Sequence, residues 1–136
     1  MQTVRDPLRG KMVAATPEEQ VRQWFIGVLC ESAGVPMHMM RSEVPFKFGD
    51  SAKQYRADIV VYTREMTCAA VVECKRPDVA LSESVLEQAL RYNMVLDVGC
   101  IIITNGSRTY VARRRDGAFR WENTLPTYED LCNDND

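Results

Sequence analysis

The sequence predicts a three-layer α/β domain, with a central mixed β-sheet flanked by helices. Three observations predict it. Residues 55–62 and 68–75 read as strands that are apolar almost throughout, as in a sheet covered on both faces. Amphipathic helical stripes after Thr16 and after Ser82 bracket those strands and supply the covers. The length of 136 residues suits one domain with a real core and is too short for two.

Residues 1–15 show no periodicity and are expected to form a flexible arm ahead of a single domain at 16–132. Thr16-Pro17-Glu18-Glu19 starts the first helix: Thr16 caps it, Pro17 suits the first helical position, and Glu19 completes a capping box. Val21, Trp24, Phe25, Val28 and Leu29 form its stripe to about Cys30, and Gly34 and Pro36 end it. Residues 41–48 alternate Val44, Phe46 and Phe48 with Glu43, Pro45 and Lys47, a half-buried strand whose proline suits a sheet edge. A polar loop at 49–54 leads into the two apolar strands. Beyond Pro77, Ser82 or Ser84 caps a helix through Val85, Leu86, Ala89, Tyr92 and Val95 to about Leu96. Residues 100–104 form a short buried strand, and Asn105-Gly106 signals the hairpin that returns as 108–114. A last strand at 119–121, a helical turn or two at 126–131 and an acidic tail at 133–136 complete the chain.

Composition narrows the function. The 46% apolar and 26% charged shares are ordinary for a soluble globular protein. No apolar run approaches a membrane span, and Arg5, Asp6 and Arg9 break any signal peptide, so a cytoplasmic location is expected. The five cysteines (Cys30, Cys68, Cys74, Cys100 and Cys132) never form a Cys-x-x-Cys pair; they read as reduced thiols, not a zinc or disulfide framework. His38 is the only histidine, which leaves triad and zinc hydrolases without their usual groups. There is no Gly-x-x-x-x-Gly-Lys motif, so no ATP-driven motor is built in. A net charge of −2 argues against a strong solitary DNA binder, although Arg108, Arg113, Arg114, Arg115 and Arg120 cluster locally.

Chemistry must therefore come from carboxylates and lysine. Glu73 and Lys75 lie two apart on one strand and share a face, whereas Cys74 points the other way. Asp58 interrupts the preceding apolar strand between Ala57 and Ile59. A hairpin centred between Glu65 and Met66 sets position 58 opposite position 73, where Cβ atoms lie about 4.5–5.5 Å apart. Two carboxylates that close repel unless a cation sits between them, and Mg²⁺ favours such oxygen ligands. Lys75 would then orient a metal-activated water or stabilise charge on a phosphate. The structural alternative is a Glu73–Lys75 ion pair with Asp58 bonded to a backbone N–H. Arg56 and Arg76 flank this centre and are candidates to hold phosphates, with Lys53 and Arg108 after them; solvated surface charge is the alternative for each.

Asp58 followed by Glu73-Cys74-Lys75 resembles the acidic residue plus Glu-x-Lys signature of the PD-(D/E)XK nuclease superfamily. The segments PEEQVRQ at 17–23, RADIVVY at 56–62, VVECK at 71–75, EQALRYN at 87–93 and TNG at 104–106 resemble the N-terminal nuclease domain of type I restriction enzyme R subunits, in its small stand-alone form. That resemblance implies a restriction-endonuclease-like fold with Asp58 and Glu73 as Mg²⁺ ligands, the main-chain carbonyl of Cys74 as a third, and Lys75 as the catalytic lysine. Mn²⁺ would substitute for Mg²⁺. Gln88 and Tyr92 are similar to a Gln-x-x-x-Tyr element, in which Gln88 reaches the site or the DNA backbone and Tyr92 supports it. Glu19 corresponds to an acidic first-helix position that sometimes joins the metal site; its capping role is the alternative. The superfamily's nominal proline before the aspartate is Ala57 here.

The expected function is metal-dependent hydrolysis of DNA phosphodiester bonds by an endonuclease that is weak or partner-dependent on its own. A separately encoded helicase or specificity subunit and a homodimer are the expected partners, with no membrane. A module that keeps the nuclease fold but only binds nucleic acid or protein is the alternative.

Overall fold

Side chains alternate across the central strands, so one apolar sheet needs two covers. In the computed structural model, which describes residues 1–47 and 54–133, it has them. The described strands are β1 (Thr3–Asp6), β2 (Lys11–Ala14), β3 (Met40–Lys47), β4 (Gln54–Tyr62), β5 (Cys68–Cys74), β6 (Cys100–Thr104), β7 (Thr109–Arg115) and β8 (Ala118–Glu122). The helices are α1 (Pro17–Glu31), α2 (Glu83–Asn93) and α3 (Tyr128–Asn133), with a 3-10 turn at Met37–Met39. Strands β3 to β8 form one sheet in chain order, antiparallel throughout except for β5 and β6. That parallel pair needs a crossover, and α2 supplies it.

Neighbouring residues separate into two cores. Ile59, Val61, Val72 and Ile102 pack with Val21, Phe25, Ile26 and Leu29 of α1 and with Tyr128 and Leu131 of α3. Val60, Val71, Ile101 and Ile103 pack instead with Ala89 of α2 and the partly buried Val85, Leu86 and Leu90. This is the expected three-layer α/β architecture. Truncating a fully buried isoleucine such as Ile102 to alanine would cost about 2–5 kcal/mol.

Local signals explain where the elements stop. Thr16 Oγ1 accepts the Glu19 N–H at 3.1 Å and caps α1. Its exit passes through Gly34 at φ +73°, while the Val35 N–H reaches back to the Leu29 carbonyl at 3.0 Å. Ser82 caps α2 by accepting the Val85 N–H, and the helix closes at Asn93, short of the expected Leu96. Asn105 and Gly106 build the β6–β7 turn, in which the Asn105 side chain accepts the N–H groups of Ser107 and Arg108. Pro45 lies on β3, an edge strand as expected.

Two expectations are corrected. Residues 1–15 are not a loose arm: β1 and β2 pair in register from Thr3↔Ala14 to Asp6↔Lys11, and Asp6 is 0% exposed. Ion pairs through Asp6 and Arg9 hold this hairpin down, with Leu8 packed on the α1-side core, and strands of four residues are too short to show a periodicity. Trp24 is not in the α1 core stripe; it is 47% exposed with its ring beside Phe25, and Ile26 is buried instead. The loop expected at 49–54, and Phe48 and Lys53 with it, falls mostly outside the described residues, as do the last three positions of the tail.

Candidate active site

The β4–β5 ladder pairs Ile59 with Val72, Val60 with Val71 and Val61 with Ala70. One further step in that register sets Asp58 opposite Glu73. No backbone pair forms there. The Asp58 Oδ2 accepts the Cys74 N–H at 2.7 Å, while the Asp58 carbonyl accepts from Arg22 Nη1 of α1 at 3.3 Å. Glu73 points toward α2, where Asn93 Nδ2 donates to its Oε1 at 2.9 Å. Lys75 is the first residue beyond β5 but stays aligned with β6, since its N–H donates to the Thr104 carbonyl at 2.8 Å. Its Nζ lies 2.8 Å from Glu73 Oε2.

These groups share one cleft of about 640 Å³. Asp58, Glu73, Cys74 and Lys75 line it from the strand ends; Val85, Gln88, Ala89 and Tyr92 line it from α2; Glu18, Arg56 and Val79 complete the rim. Burial pushes the Asp58 carboxyl up to about 6; the Cys74 N–H and Arg22 pull it down, and Glu18 and Glu73 add to the rise. Burial lowers the Lys75 ammonium, but Glu73, then Asp58 and Glu18, outweigh it and leave its pKa raised. The cleft therefore presents a carboxyl short of positive charge beside a protonated lysine. The Glu73–Lys75 pair and the Asp58 bond to a backbone N–H are also the contacts of the structural alternative. Their convergence on an open cleft goes beyond it.

The donor set fits a hard divalent cation. Asp58 and Glu73 bring carboxylate oxygens, and Mg²⁺ keeps several waters, so a cage of protein ligands is not required. Among the described residues no group of three His, Cys, Asp or Glu side chains is gathered for a metal. The Cys74 side chain lies in the α1-side core, and burial, then Asp58, raises its thiol well above the ordinary range. Only its main chain is offered to the site. The five cysteines are all unbridged.

Other predicted residues divide. Gln88 is exposed on the cleft wall. Tyr92 is 39% exposed, packs its ring 4.9 Å from that of Tyr55, and accepts the Arg56 N–H at 3.2 Å. Arg56 lines the cleft and lies 3.7 Å from Glu43, whereas Arg76 pairs with Asp78 at 3.0 Å and Arg108 sits exposed on the β6–β7 turn, neither among the lining residues. Lys53 lies outside the described residues. Arg113 and Arg115 pair with Glu122, and Arg114 with Asp97. His38 is exposed in the 3-10 turn, away from the cleft lining.

Glu19 is a correction. It is 6% exposed and committed to Arg9 at 2.6 Å, Gln23 at 3.0 Å and Arg22 at 3.1 Å. Glu18 is the first-helix acid that lines the cleft. Its signal is in the sequence: it precedes Val21, Phe25 and Leu29 by 3, 7 and 11 residues, on the stripe that faces the sheet. Asn93 was also missed, although a polar residue four after the buried Ala89 marks it.

An α/β fold with a mixed sheet and a carboxylate–lysine cleft at its strand ends is a nuclease-like class. The chain aligns over 88% of its length, at 21% identity and a TM-score of 0.63, with a fragment assigned as an HsdR subunit of a type I restriction enzyme from Vibrio vulnificus YJ016. It spans a quarter of that chain. A protein from Anabaena variabilis ATCC 29413, assigned as a nuclease belonging to DUF820, aligns over 90% of this chain and 86% of its own at 14% identity and a TM-score of 0.51. No curated protein matches the chain. Residues 17–126 match the family Type I restriction enzyme R protein N terminus (HSDR_N), and the chain belongs to that family. The match runs past Gly106, where the motifs quoted from the sequence end.

Proposed function

We propose that this chain is an endonuclease that hydrolyses DNA phosphodiester bonds with Mg²⁺, or Mn²⁺ in its place. The observation that carries this reading is the meeting of Asp58, Glu73 and Lys75 on one open cleft. Asp58, Glu73 and the Cys74 carbonyl would hold the ion. When bound, such an ion acidifies a water and shields phosphate charge. Lys75, kept protonated by its acidic neighbours, stabilises the negative charge that grows on the phosphate. Arg56 and Gln88 grip the DNA backbone at the rim, and Tyr92 holds the Arg56 segment in place. Arg76 and Arg108 contribute at most distant phosphate contacts.

The acidic net charge and the cleft's own carboxylates make tight DNA binding by the isolated chain unfavourable. We therefore expect weak cleavage alone, with a separately encoded helicase or specificity subunit supplying translocation and address in the cytoplasm. A homodimer would widen the DNA-binding surface. None of the described helices is long and apolar enough to cross a membrane.

The test is cleavage of supercoiled plasmid with Mg²⁺ and with Mn²⁺, by wild type and by Lys75→Ala. Nicking that depends on metal and disappears in the variant supports the enzyme. Equal traces from both would favour the alternative, a nuclease fold kept as a binding module.

A further inference from the structure

Two arginines and two glutamates close a ring beside the cleft. Arg9, from the β1–β2 turn, contacts Glu19 at 2.6 Å and Glu43 at 3.3 Å. Arg22 contacts the same two carboxylates, at 3.1 Å and 3.2 Å; its Nε meets Glu19 as an ion pair without hydrogen-bond alignment. Asp6 anchors the hairpin side of the ring. It pairs with Arg9, accepts the Leu8 N–H at 2.9 Å and takes the Ser42 hydroxyl of β3 at 3.1 Å. Asp6, Glu19 and Arg22 are buried, so each is costly unless its partners stay in place.

The ring grips an irregular point in the sheet. Glu43 has φ 53°, a region that residues other than glycine rarely adopt and that tends to be held by its surroundings. The register Ser42↔Ile59 and Val44↔Ala57 leaves Glu43 opposite Asp58. On β4, Ala57 packs in the α2-side core with Val60, three residues on, so strict alternation breaks between them. There Arg22 Nη1 donates to the Asp58 carbonyl, and the Asp58 carboxylate turns to the Cys74 N–H. A ring that only fastened the hairpin would not need that last bond.

We propose that the N-terminal hairpin is part of the site, with Arg9 and Arg22 as positioning residues that aim Asp58 at its metal. This rests on the cleft being the metal centre of a nuclease.

The test is calorimetric titration of Mn²⁺ into wild type, Arg9→Lys and Arg22→Lys, with melting temperatures measured in EDTA. Arg64→Lys, which alters an ion pair with Glu129 remote from the ring, is the control. Lysine keeps the charge but cannot bridge two carboxylates as the guanidinium fork does. Both ring variants should bind Mn²⁺ about tenfold to a hundredfold more weakly, and the control should match wild type. Wild-type affinity in both ring variants, whatever their melting points, overturns the positioning role and leaves the nuclease reading intact. A wild-type protein that takes up no Mn²⁺ overturns both. If Arg22→Lys does not fold, Arg9→Lys at the partly exposed end of the ring decides alone.

Discussion

The Asp58 carboxylate accepts the backbone N–H of Cys74 at 2.7 Å, at the place where the β4–β5 ladder stops. This one bond ties an acidic group from one strand to the residue between Glu73 and Lys75 on the next. Sequence adjacency does the rest, because Glu73 and Lys75 share the face that α2 covers. The site is thus built at a strand end, where backbone pairing gives way to side chains.

Asp58 should make stability depend on pH. Its carboxyl titrates at about 6 in the folded protein against 3.8 normally, so the fold binds this proton more tightly than the unfolded chain does. Stability is therefore lost as pH rises from about 4 through 6, by up to roughly 3 kcal/mol. Asp58→Asn keeps an acceptor for the Cys74 N–H and removes the charge. In EDTA the variant should melt above wild type at pH 7.5, and the advantage should vanish near pH 4. An equal shift at both pH values would contradict the account.

Glu18 and Glu19 should differ in what they contribute to stability. Glu19→Gln leaves the buried Arg22 and the partly buried Arg9 with less counter-charge and should cost about 3 kcal/mol by chemical denaturation. Glu18→Gln should change stability by no more than about 0.5 kcal/mol while lowering Mg²⁺-dependent cleavage about tenfold. Equal stability losses from the two would contradict this division.

Most of the sheet and the central trio were legible because strand periodicity is simple. Alternation assigns Glu73 and Lys75 to one face. The turn itself is centred on Glu65, where Tyr62 pairs with Cys68, and an irregularity between Val61 and Tyr62 shifts the ladder into the expected register that sets Asp58 opposite Glu73. The β1–β2 hairpin was not legible, since each four-residue strand carries one partly buried apolar side chain, Val4 or Val13, and its hold on the domain joins the ion pairs of Asp6 and Arg9 to the packing of Leu8 on the core. The resemblance points to Glu19, whereas the acid that lines the cleft is its neighbour Glu18, the same chemistry one position away. Helical spacing with Val21 and Val28 puts Trp24 on the apolar stripe, although α1 turns Ile26 inward instead.

Lys75 should matter to cleavage far more than to folding. Its pair with Glu73 is partly exposed, at 35% and 17%, so Lys75→Met should cost no more than about 1 kcal/mol in the melting transition. Plasmid cleavage should fall about 10²–10³-fold. A large stability loss with activity retained would make the residue structural.

Gln88 and Tyr92 should separate in the same way. Tyr92→Phe loses the acceptor for the Arg56 N–H and should cost about 1 kcal/mol of stability. Gln88→Ala, on the exposed wall, should melt within about 0.5 kcal/mol of wild type yet cleave at least several-fold more slowly under single-turnover conditions. Wild-type cleavage by Gln88→Ala would remove this residue from the site.

The most direct test is a crystal soaked in Mn²⁺ and read by anomalous scattering. The account predicts one peak in the cleft, within ligand distance of Asp58, Glu73 and the Cys74 carbonyl, and lost in Asp58→Asn. A peak elsewhere, or a clean map at these three groups with the Glu73–Lys75 bond unmoved, would contradict it.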